Sequence, residues 1–119
     1  MKKIKTQSDF FDKVFEVVAE IPIGKVTTYG AIAEACGIRS SARTVGWALN
    51  SAKNSYLPCH RVVNRFGALT GKIHFGNPQL MQDLLQGEGV KFDSEGNVIL
   101  ADHLWLPAKR NRFSKTKNL

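Results

Sequence analysis

The chain of 119 residues is long enough for one compact domain with its own core and too short for a second. Its composition of 43% hydrophobic and 23% charged residues is ordinary for a soluble globular protein. No apolar run approaches the roughly 18 residues that a membrane-spanning helix needs, which excludes a membrane protein. No apolar secretion segment follows the basic start, so a cytoplasmic location is expected.

The net charge of +7 is unevenly distributed along the chain. Residues 1–7 and 108–119 are basic and are predicted to form an arm and a disordered tail around a domain at residues 8–107. Within that domain, residues 25–72 hold seven Lys or Arg against one acid, Glu34. Such segregation is typical of a face that binds a polyanion such as DNA, although a basic face that meets only solvent gives the same pattern.

An amphipathic helix is predicted from Ser8 to Ile21, with Ser8 as its N-cap. Its apolar residues recur at helical spacing, and acids occupy the opposite face: Asp9, Asp12, Glu16 and Glu20. Because an acidic face is a poor contact for DNA, the helix is expected to support the core.

A pair of short helices is predicted next. The β-branched residues 26–28 indicate an extended segment, followed by a helix from about Tyr29 to Ala35 that Gly37 ends. A second helix begins with Ser40 or Ser41 as N-cap and runs to about residue 50. Two helices joined by a glycine-containing turn are the outline of a helix-turn-helix, which also occurs in proteins that never bind DNA.

The second half of the domain is predicted to contain short β segments and one more helix. Residues 62–63 and 68–69 suggest a small hairpin or wing, and residues 90–92 and 98–100 flank another turn. Between them, Asn77 and Pro78 would begin a helix that ends at residues 87–89. Its expected buried stripe comprises Leu80, Met81, Leu84 and Leu85. The predicted fold class is mainly α, a winged-helix-like helix-turn-helix domain with short β segments.

Cys59 is a candidate nucleophile. His60 and Arg61 follow it directly, and such a basic neighbourhood would favour the thiolate over the thiol. Catalysis would also need a base held by an orienting group, for which Glu88 is the best candidate. The alternative is a structural cysteine, as expected for Cys36 in the core.

No metal site is expected, because the spacing of Cys and His fits no zinc pattern. No cofactor is expected, because no phosphate-binding or dinucleotide motif occurs.

Four motifs together resemble the DNA-binding and catalytic domain of the O6-alkylguanine-DNA alkyltransferases, in matching order and spacing from about Phe10 to Val90. The most specific is the six-residue cysteine motif, and the Tyr and Arg motifs lie upstream of it. They read Ile21-Pro22-x-Gly24-x-Val26-x-x-Tyr29-Gly30-x-Ile32-Ala33, Ser41-Ala42-Arg43-x-Val45-Gly46, Pro58-Cys59-His60-Arg61-Val62-Val63 and Leu84-Leu85-x-x-Glu88-Gly89.

The resemblance implies a role for each matching residue. Cys59 would accept the alkyl group in one irreversible transfer, with His60 as its base through a bridging water and Glu88 orienting His60. Tyr29 would crowd the phosphate 3′ of the target and help to rotate the nucleotide outward. Arg43 would fill the vacated base stack from the minor groove. The other residues expected at the DNA are Ala42, Gly46, Thr28 and Arg61, where the small Ala42 and Gly46 would let the helix approach the groove.

The chain also departs from the enzymes of this family. Enzymatic members usually carry an extra N-terminal domain, which is not expected here because the match already begins near residue 10. Lys72 and Ile73 stand where Tyr and Ser are expected in the guanine pocket, and Asn50 and Asn54 are both possible matches for the family's asparagine.

The shortened form is similar to the alkyltransferase-like proteins, which bind alkylated guanine without repairing it and pass the lesion to nucleotide excision repair. Those proteins usually replace the cysteine. The sequence therefore leaves three hypotheses: a monomeric self-alkylating repair protein, which the trio of Cys59, His60 and Glu88 favours; a lesion sensor that signals to nucleotide excision repair proteins; and a helix-turn-helix regulator that reads sequence in the major groove. Duplex DNA is the expected partner in each, carrying an alkylated guanine in the first two.

Overall fold

A computed structural model of the chain describes residues 7–37, 42–52, 56–71, 77 and 79–108. The elements run in the order α1 (Gln7–Ala19), β1 (Thr27–Thr28), α2 (Tyr29–Ala35), α3 (Ala42–Ser51), a 3₁₀ turn (Cys59–Arg61), β2 (Val62–Val63), α4 (Leu80–Gly87) and α5 (Leu100–His103). The mainly helical class is confirmed. The short helix α5 was not predicted.

The first helices pack into one core, to which α1, α2 and α3 each contribute fully buried side chains: Val14, Val17, Val18, Ile32, Val45 and Ala48. The apolar stripe of α1 supports α2 and α3 as predicted. The helix begins at Gln7, one residue before the predicted N-cap Ser8, and ends at Ala19, two residues before the predicted end. Helix α2 begins at a side-chain cap, because the Thr28 hydroxyl accepts a hydrogen bond of 3.0 Å from the Ala31 N–H. Cys36 is buried in this core, as predicted.

Helices α2 and α3 form the predicted helix-turn-helix. Helix α2 ends at the predicted residue, and Gly37 follows it with a φ of 76°, a left-handed conformation that glycine adopts without steric cost. The N-cap predicted for α3 at Ser40 or Ser41 lies outside the described residues, as do the basic arm before residue 7 and the tail after residue 108.

The strand at Val62–Val63 does not form the predicted hairpin with residues 68–69. It pairs in parallel with β1 instead, in the register Thr27 with Val62 and Thr28 with Val63. The Asn64 N–H does donate to the Ala68 carbonyl at 3.1 Å, so a turn follows the strand without a second β pairing. Because alternate side chains of a strand point to opposite faces, Val62 enters the core of α1 to α3 while Val63 enters a second core.

The second core lies under α4, where Met81 and Leu85 are fully buried. The helix begins at Leu80, later than predicted. Asn77 lies in the turn before it, where its side chain accepts a hydrogen bond of 2.9 Å from the Gln79 N–H. Only half of the predicted stripe is buried: Leu80 is 36% and Leu84 is 39% exposed. The turn predicted between residues 90–92 and 98–100 is confirmed by an antiparallel bridge between Phe92 and Val98.

In the described part of the chain, no helix is long and apolar enough to cross a membrane.

Candidate nucleic-acid interface and alkyl-acceptor site

The parallel strand pair places the two sequence motifs of the site side by side. Strand β1 leads directly into Tyr29 at the start of α2, and the 3₁₀ turn that carries Cys59 and His60 leads directly into β2. The turn is closed by a 3.0 Å bond from the Arg61 N–H to the Pro58 carbonyl. Pairing of the two strands therefore brings Cys59 close to Tyr29, although 30 positions separate them in the sequence.

The carboxylate of Glu88 joins three segments of the chain. Glu88 lies at the C-terminal end of α4, and its Oε2 lies 2.8 Å from Nε2 of His60. Arg61 donates to both carboxylate oxygens, at 3.0 Å from Nε to Oε1 and 2.8 Å from Nη2 to Oε2. The N–H of Gly24 donates to Oε1 at 3.0 Å, and Nη1 of Arg61 donates to the Ile21 carbonyl at 2.7 Å. The predicted contact between Glu88 and His60 is therefore present.

This network keeps Glu88 ionised. Burial alone would raise the pKa of its carboxyl, but the hydrogen bonds from Arg61, Gly24 and His60 outweigh burial and lower the pKa to about 2. The anion in turn fixes the imidazole. When Nε2 of His60 donates to the carboxylate, Nδ1 is left as the proton acceptor of the ring.

Arg61 was expected to contact DNA and to favour the thiolate of Cys59, but its side chain is turned toward Glu88. Its side chain is only 13% exposed, and its guanidinium faces Glu88 and the Ile21 carbonyl. The predicted preference of Cys59 for the thiolate is wrong for the free protein, since burial raises the pKa of its thiol to about 11. Because Arg61 is paired with Glu88, its charge does not offset this effect.

Tyr29 and Cys59 share one environment. Burial raises the pKa of Tyr29; the hydrogen bond with the side chain of Thr70 opposes this shift, and the nearby Cys59 adds to it. Thr28, the N-cap of α2, is half-buried beside them.

A cavity of about 670 Å³ collects most of the predicted site residues. Its volume is in the range of cavities that bind drug-sized molecules. Helix α3 supplies three of the predicted DNA contacts, Ala42, Arg43 and Gly46. Cys59 and His60 come from the 3₁₀ turn, and Tyr29, which is also predicted to contact DNA, begins α2. The described lining residues are Tyr29, Ala42, Arg43, Gly46, Trp47, Leu49, Asn50, Leu57, Cys59, His60, Thr70, Gly71, Leu80 and Leu84.

Some predicted residues lie away from the cavity. Glu88, Arg61 and Thr28 do not line it, although the first contacts His60. Asn50 lines the cavity, whereas Asn54, Lys72 and Ile73 lie outside the described residues. Among the residues that the structure describes, no cluster of three or more His, Cys, Asp or Glu side chains could hold a metal ion.

Two features of the site were not predicted from the sequence. They are the apolar lining of the cavity and the hydrogen bonds that hold the backbone partner of Glu88 in place. Trp47 follows Arg43 by one helical turn, a spacing that could have placed both on one face. His103 is buried, with Nδ1 3.0 Å from the Gly24 carbonyl and Nε2 accepting from the Lys91 N–H at 3.0 Å. His103 therefore helps to position Gly24, whose N–H donates to Glu88. No local sequence signal indicated this role of His103.

Comparison with known proteins gives the family. Residues 9–90 match the sequence model of the family described as 6-O-methylguanine DNA methyltransferase, DNA binding domain. The chain belongs to this family. Alkyltransferase-like protein 1 of Schizosaccharomyces pombe is 36% identical over 104 residues, which cover 83% of this chain and 96% of that protein. The DNA base-flipping protein of Escherichia coli is 38% identical over 107 residues, or 87% of this chain and 80% of that protein.

The methyltransferases of the family are matched over less of their length. The methylated-DNA–protein-cysteine methyltransferase of Shigella flexneri is 41% identical over 81 residues, which cover 67% of this chain but 46% of that protein. Among solved structures, S. pombe Atl1 in complex with damaged DNA containing O6-carboxymethylguanine superposes with a TM-score of 0.73 at 37% identity, covering 87% of this chain and all of that one. This similarity confirms the helix-turn-helix fold.

Proposed function

We propose that this protein binds duplex DNA at an O6-alkylated guanine, rotates the modified nucleotide out of the helix and holds the base in the cavity beside Cys59. The observation that carries the proposal is the common cavity lined by Tyr29, Arg43 and Cys59. A flipped base needs a concave pocket next to the helix that enters the groove, and this arrangement provides one. The relatives named for base flipping and solved with a damaged guanine support the same function.

Helix α3 is the element that would enter the minor groove. Arg43 is exposed near its start and would fill the space left by the extruded base, which offsets an unstacking cost of a few kcal/mol. Ala42 and Gly46 flank it, and their small size would allow close approach of the helix to the groove. The free protein leaves the position of a Cβ at Gly46 open, with nothing within 4 Å. Tyr29 would press on the 3′ phosphate, with the capping residue Thr28 beside the backbone. Arg61 is reassigned from DNA contact to holding Glu88.

Lesion binding is tested with two duplexes that differ only in one O6-methyl group. The proposal predicts tighter binding of the modified duplex, with a loss of at least tenfold of this preference in Arg43→Ala or Tyr29→Ala. Lys91→Ala is the matched control, because it also removes one exposed positive charge but lies outside the cavity. A preference that survives in both cavity variants, or falls equally in Lys91→Ala, would refute the flipping roles.

Cys59 is proposed as the acceptor of the alkyl group. His60 takes the thiol proton at Nδ1, the sulfur attacks the carbon bonded to O6, the S–C bond forms as the C–O6 bond breaks, and the guanine released at O6 regains a proton. No cofactor enters this balance. The 2.8 Å contact between His60 and Glu88 supports it, because the carboxylate stabilises the imidazolium formed when the thiol is deprotonated. The thioether product makes the step a single turnover.

A second candidate is a sensor that binds the lesion without transfer and marks it for nucleotide excision repair proteins. Two observations favour it: burial raises the pKa of the Cys59 thiol to about 11, and the S. pombe alkyltransferase-like protein is matched over 96% of its length. Intact mass measurement after incubation with excess O6-methylguanine duplex separates the candidates. A gain of one methyl group, mapped to the peptide of Cys59 and not of Cys36, supports transfer. An unchanged mass together with lesion-selective binding supports the sensor.

A further inference from the structure

His103 joins two backbone segments that meet at Glu88. It is 9% exposed and lies between the chain that follows α4 and the turn before β1. Nδ1 of its ring is 3.0 Å from the Gly24 carbonyl, and Nε2 is 3.0 Å from the nitrogen of Lys91. The His103 carbonyl also accepts a hydrogen bond of 2.9 Å from the Val26 N–H. His103 therefore binds the chain before β1 through both its side chain and its backbone.

The partners of the ring determine where it carries its proton. A backbone carbonyl can only accept a hydrogen bond, and a backbone N–H can only donate one. Nδ1 of His103 must therefore donate to Gly24, while Nε2 must accept from Lys91. This arrangement requires the neutral imidazole in a single tautomer. A second proton on the ring would set an N–H against the N–H of Lys91.

Gly24 connects His103 to Glu88. Its carbonyl accepts from the ring of His103, and its N–H donates to Oε1 of Glu88 at 3.0 Å. Gly24 has a φ of 84°, and an added Cβ would lie 3.3 Å from the Glu88 carbonyl, so the two segments approach closely here. Because glycine has wide conformational freedom, rotation of its backbone would turn the N–H away from the carboxylate. The hydrogen bond from His103 opposes this rotation by fixing the carbonyl of the same residue.

We propose that His103 is a positioning residue of the alkyl-acceptor site. It holds the Gly24 N–H on Glu88, and Glu88 in turn orients the ring of His60. Nε2 of His60 lies 2.8 Å from the carboxylate, so a shift of the carboxylate would displace Nδ1 at the other side of the ring. This inference rests on the proposed function, in which Nδ1 takes the proton of Cys59. His103 does not line the cavity, and it lies beyond the residues that match the family model.

Arg61 is the competing support for Glu88, since it donates to both carboxylate oxygens at 3.0 and 2.8 Å. These bonds come from the residue next to His60, so they attach Glu88 to the same turn that carries the ring. The Gly24 N–H attaches Glu88 to the chain before β1 instead. A carboxylate that is held from both directions keeps one orientation. If Arg61 alone were sufficient, loss of the His103 ring would leave His60 unchanged.

The first experiment observes the histidine rings of the free protein by nitrogen NMR at pH 8, where an imidazole is ordinarily neutral. In the unmutated protein, the proton should lie on Nδ1 of His103 and on Nε2 of His60. His103→Phe fills the space of the ring without offering a hydrogen bond, and it should remove the hydrogen-bonded Nε2–H signal of His60. His103→Gln should restore part of this signal, because its amide both donates and accepts.

Val14→Ala is the matched control for lost stability. Val14 is fully buried on α1, so its truncation weakens the core of α1 to α3 without removing a hydrogen bond from the network of Glu88. It should leave the His60 signal as it is in the unmutated protein. A role of His103 in stability alone would affect the His60 signal equally in both variants.

The second experiment measures the rate of methyl transfer to Cys59 in a single turnover with a saturating O6-methylguanine duplex. His103→Phe should slow this step about tenfold or more, because a shift of about 1 Å in a positioned group can cost about 100-fold in rate. The duplex concentration that gives half of the maximal rate should change little, since His103 lies outside the cavity. Val14→Ala should leave both quantities nearly unchanged.

The outcomes separate this inference from the function on which it rests. An unchanged His60 signal in His103→Phe, or an equal loss in Val14→Ala, would overturn the positioning role while the proposed function stands. A proton on Nε2 of His103 in the unmutated protein would also overturn it, and this measurement needs no variant that folds. If the unmutated protein transfers no methyl group, the proposed transfer fails, and the ring signals still decide whether His103 positions His60.

Discussion

Replacing Glu88 by glutamine should destabilise the protein in a manner that depends on pH. The side chain is 15% exposed, and its carboxylate accepts hydrogen bonds from Gly24, Arg61 and the His60 ring. Glutamine has nearly the same size, but it presents an NH₂ group to these donors and leaves the guanidinium of Arg61 without a charged partner.

The magnitude follows from the pKa of Glu88, which is lowered from 4.5 to about 2. The difference of about 2.5 between these two pKa values, at 1.36 kcal/mol per pKa unit, sets an upper limit of about 3.4 kcal/mol, and solvent screening reduces this to about 2 kcal/mol. Because the pKa is lower in the folded state, the contribution is fully present above pH 4.5 and is lost as the pH falls to about 2.

The assay is urea unfolding followed by tryptophan fluorescence at pH 7, 4.5 and 3. Glu88→Gln should lower the free energy of unfolding by about 2 kcal/mol at pH 7, and its difference from the unmutated protein should shrink as the pH falls. Glu34→Gln is the control, because Glu34 is an exposed acid on α2. A loss below 0.5 kcal/mol at pH 7, or a difference that does not change with pH, would refute the network.

Other predictions concern the packing around the site and the thiol. Gly67→Ala should lower the free energy of unfolding by about 3 kcal/mol, because Gly67 has a φ of 89° and an added Cβ would clash with the Val98 carbonyl. Gly96→Ala, with a φ of 86° and open space at the Cβ position, should cost only about 1 kcal/mol in the same urea titration; equal losses would contradict the clash. Thr27→Val should raise stability by about 1 kcal/mol in thermal unfolding, because the buried Thr27 hydroxyl has no hydrogen-bond partner within the described part of the chain. Alkylation of Cys59 by iodoacetamide should accelerate about tenfold per pH unit from pH 7 to 9, since its pKa is about 11, and a plateau below pH 9 would show that the thiol ionises more readily.

Much of the helical framework could be predicted from local sequence. Helix α2 has its predicted bounds, and Gly37 ends it, because a β-branched start and a glycine stop are signals contained within a few residues. The fold class and the family also follow from motifs whose order and spacing are read along the chain.

Features that depend on distant contacts could not be predicted. Residues 62–63 carry a strand signal but no indication of their partner, and they pair in parallel with residues 27–28 rather than with the next apolar pair. The ionisation of Cys59 was predicted from Arg61 two positions later, whereas the charge of Arg61 is paired with a carboxylate 27 residues away. Helical spacing indicated a stripe on α4 but could not show that half of it faces a cavity.

Binding by the proposed mode requires that an O6-alkylated guanine leaves the DNA helix and enters the cavity beside Cys59. A crystal structure of Cys59→Ser protein with an O6-methylguanine duplex shows the position of the base directly. We expect the modified base in the cavity, its methyl carbon in contact with residue 59, and the Arg43 side chain in the vacated stack. A modified base that remains stacked in the duplex while α3 contacts only the backbone would contradict it.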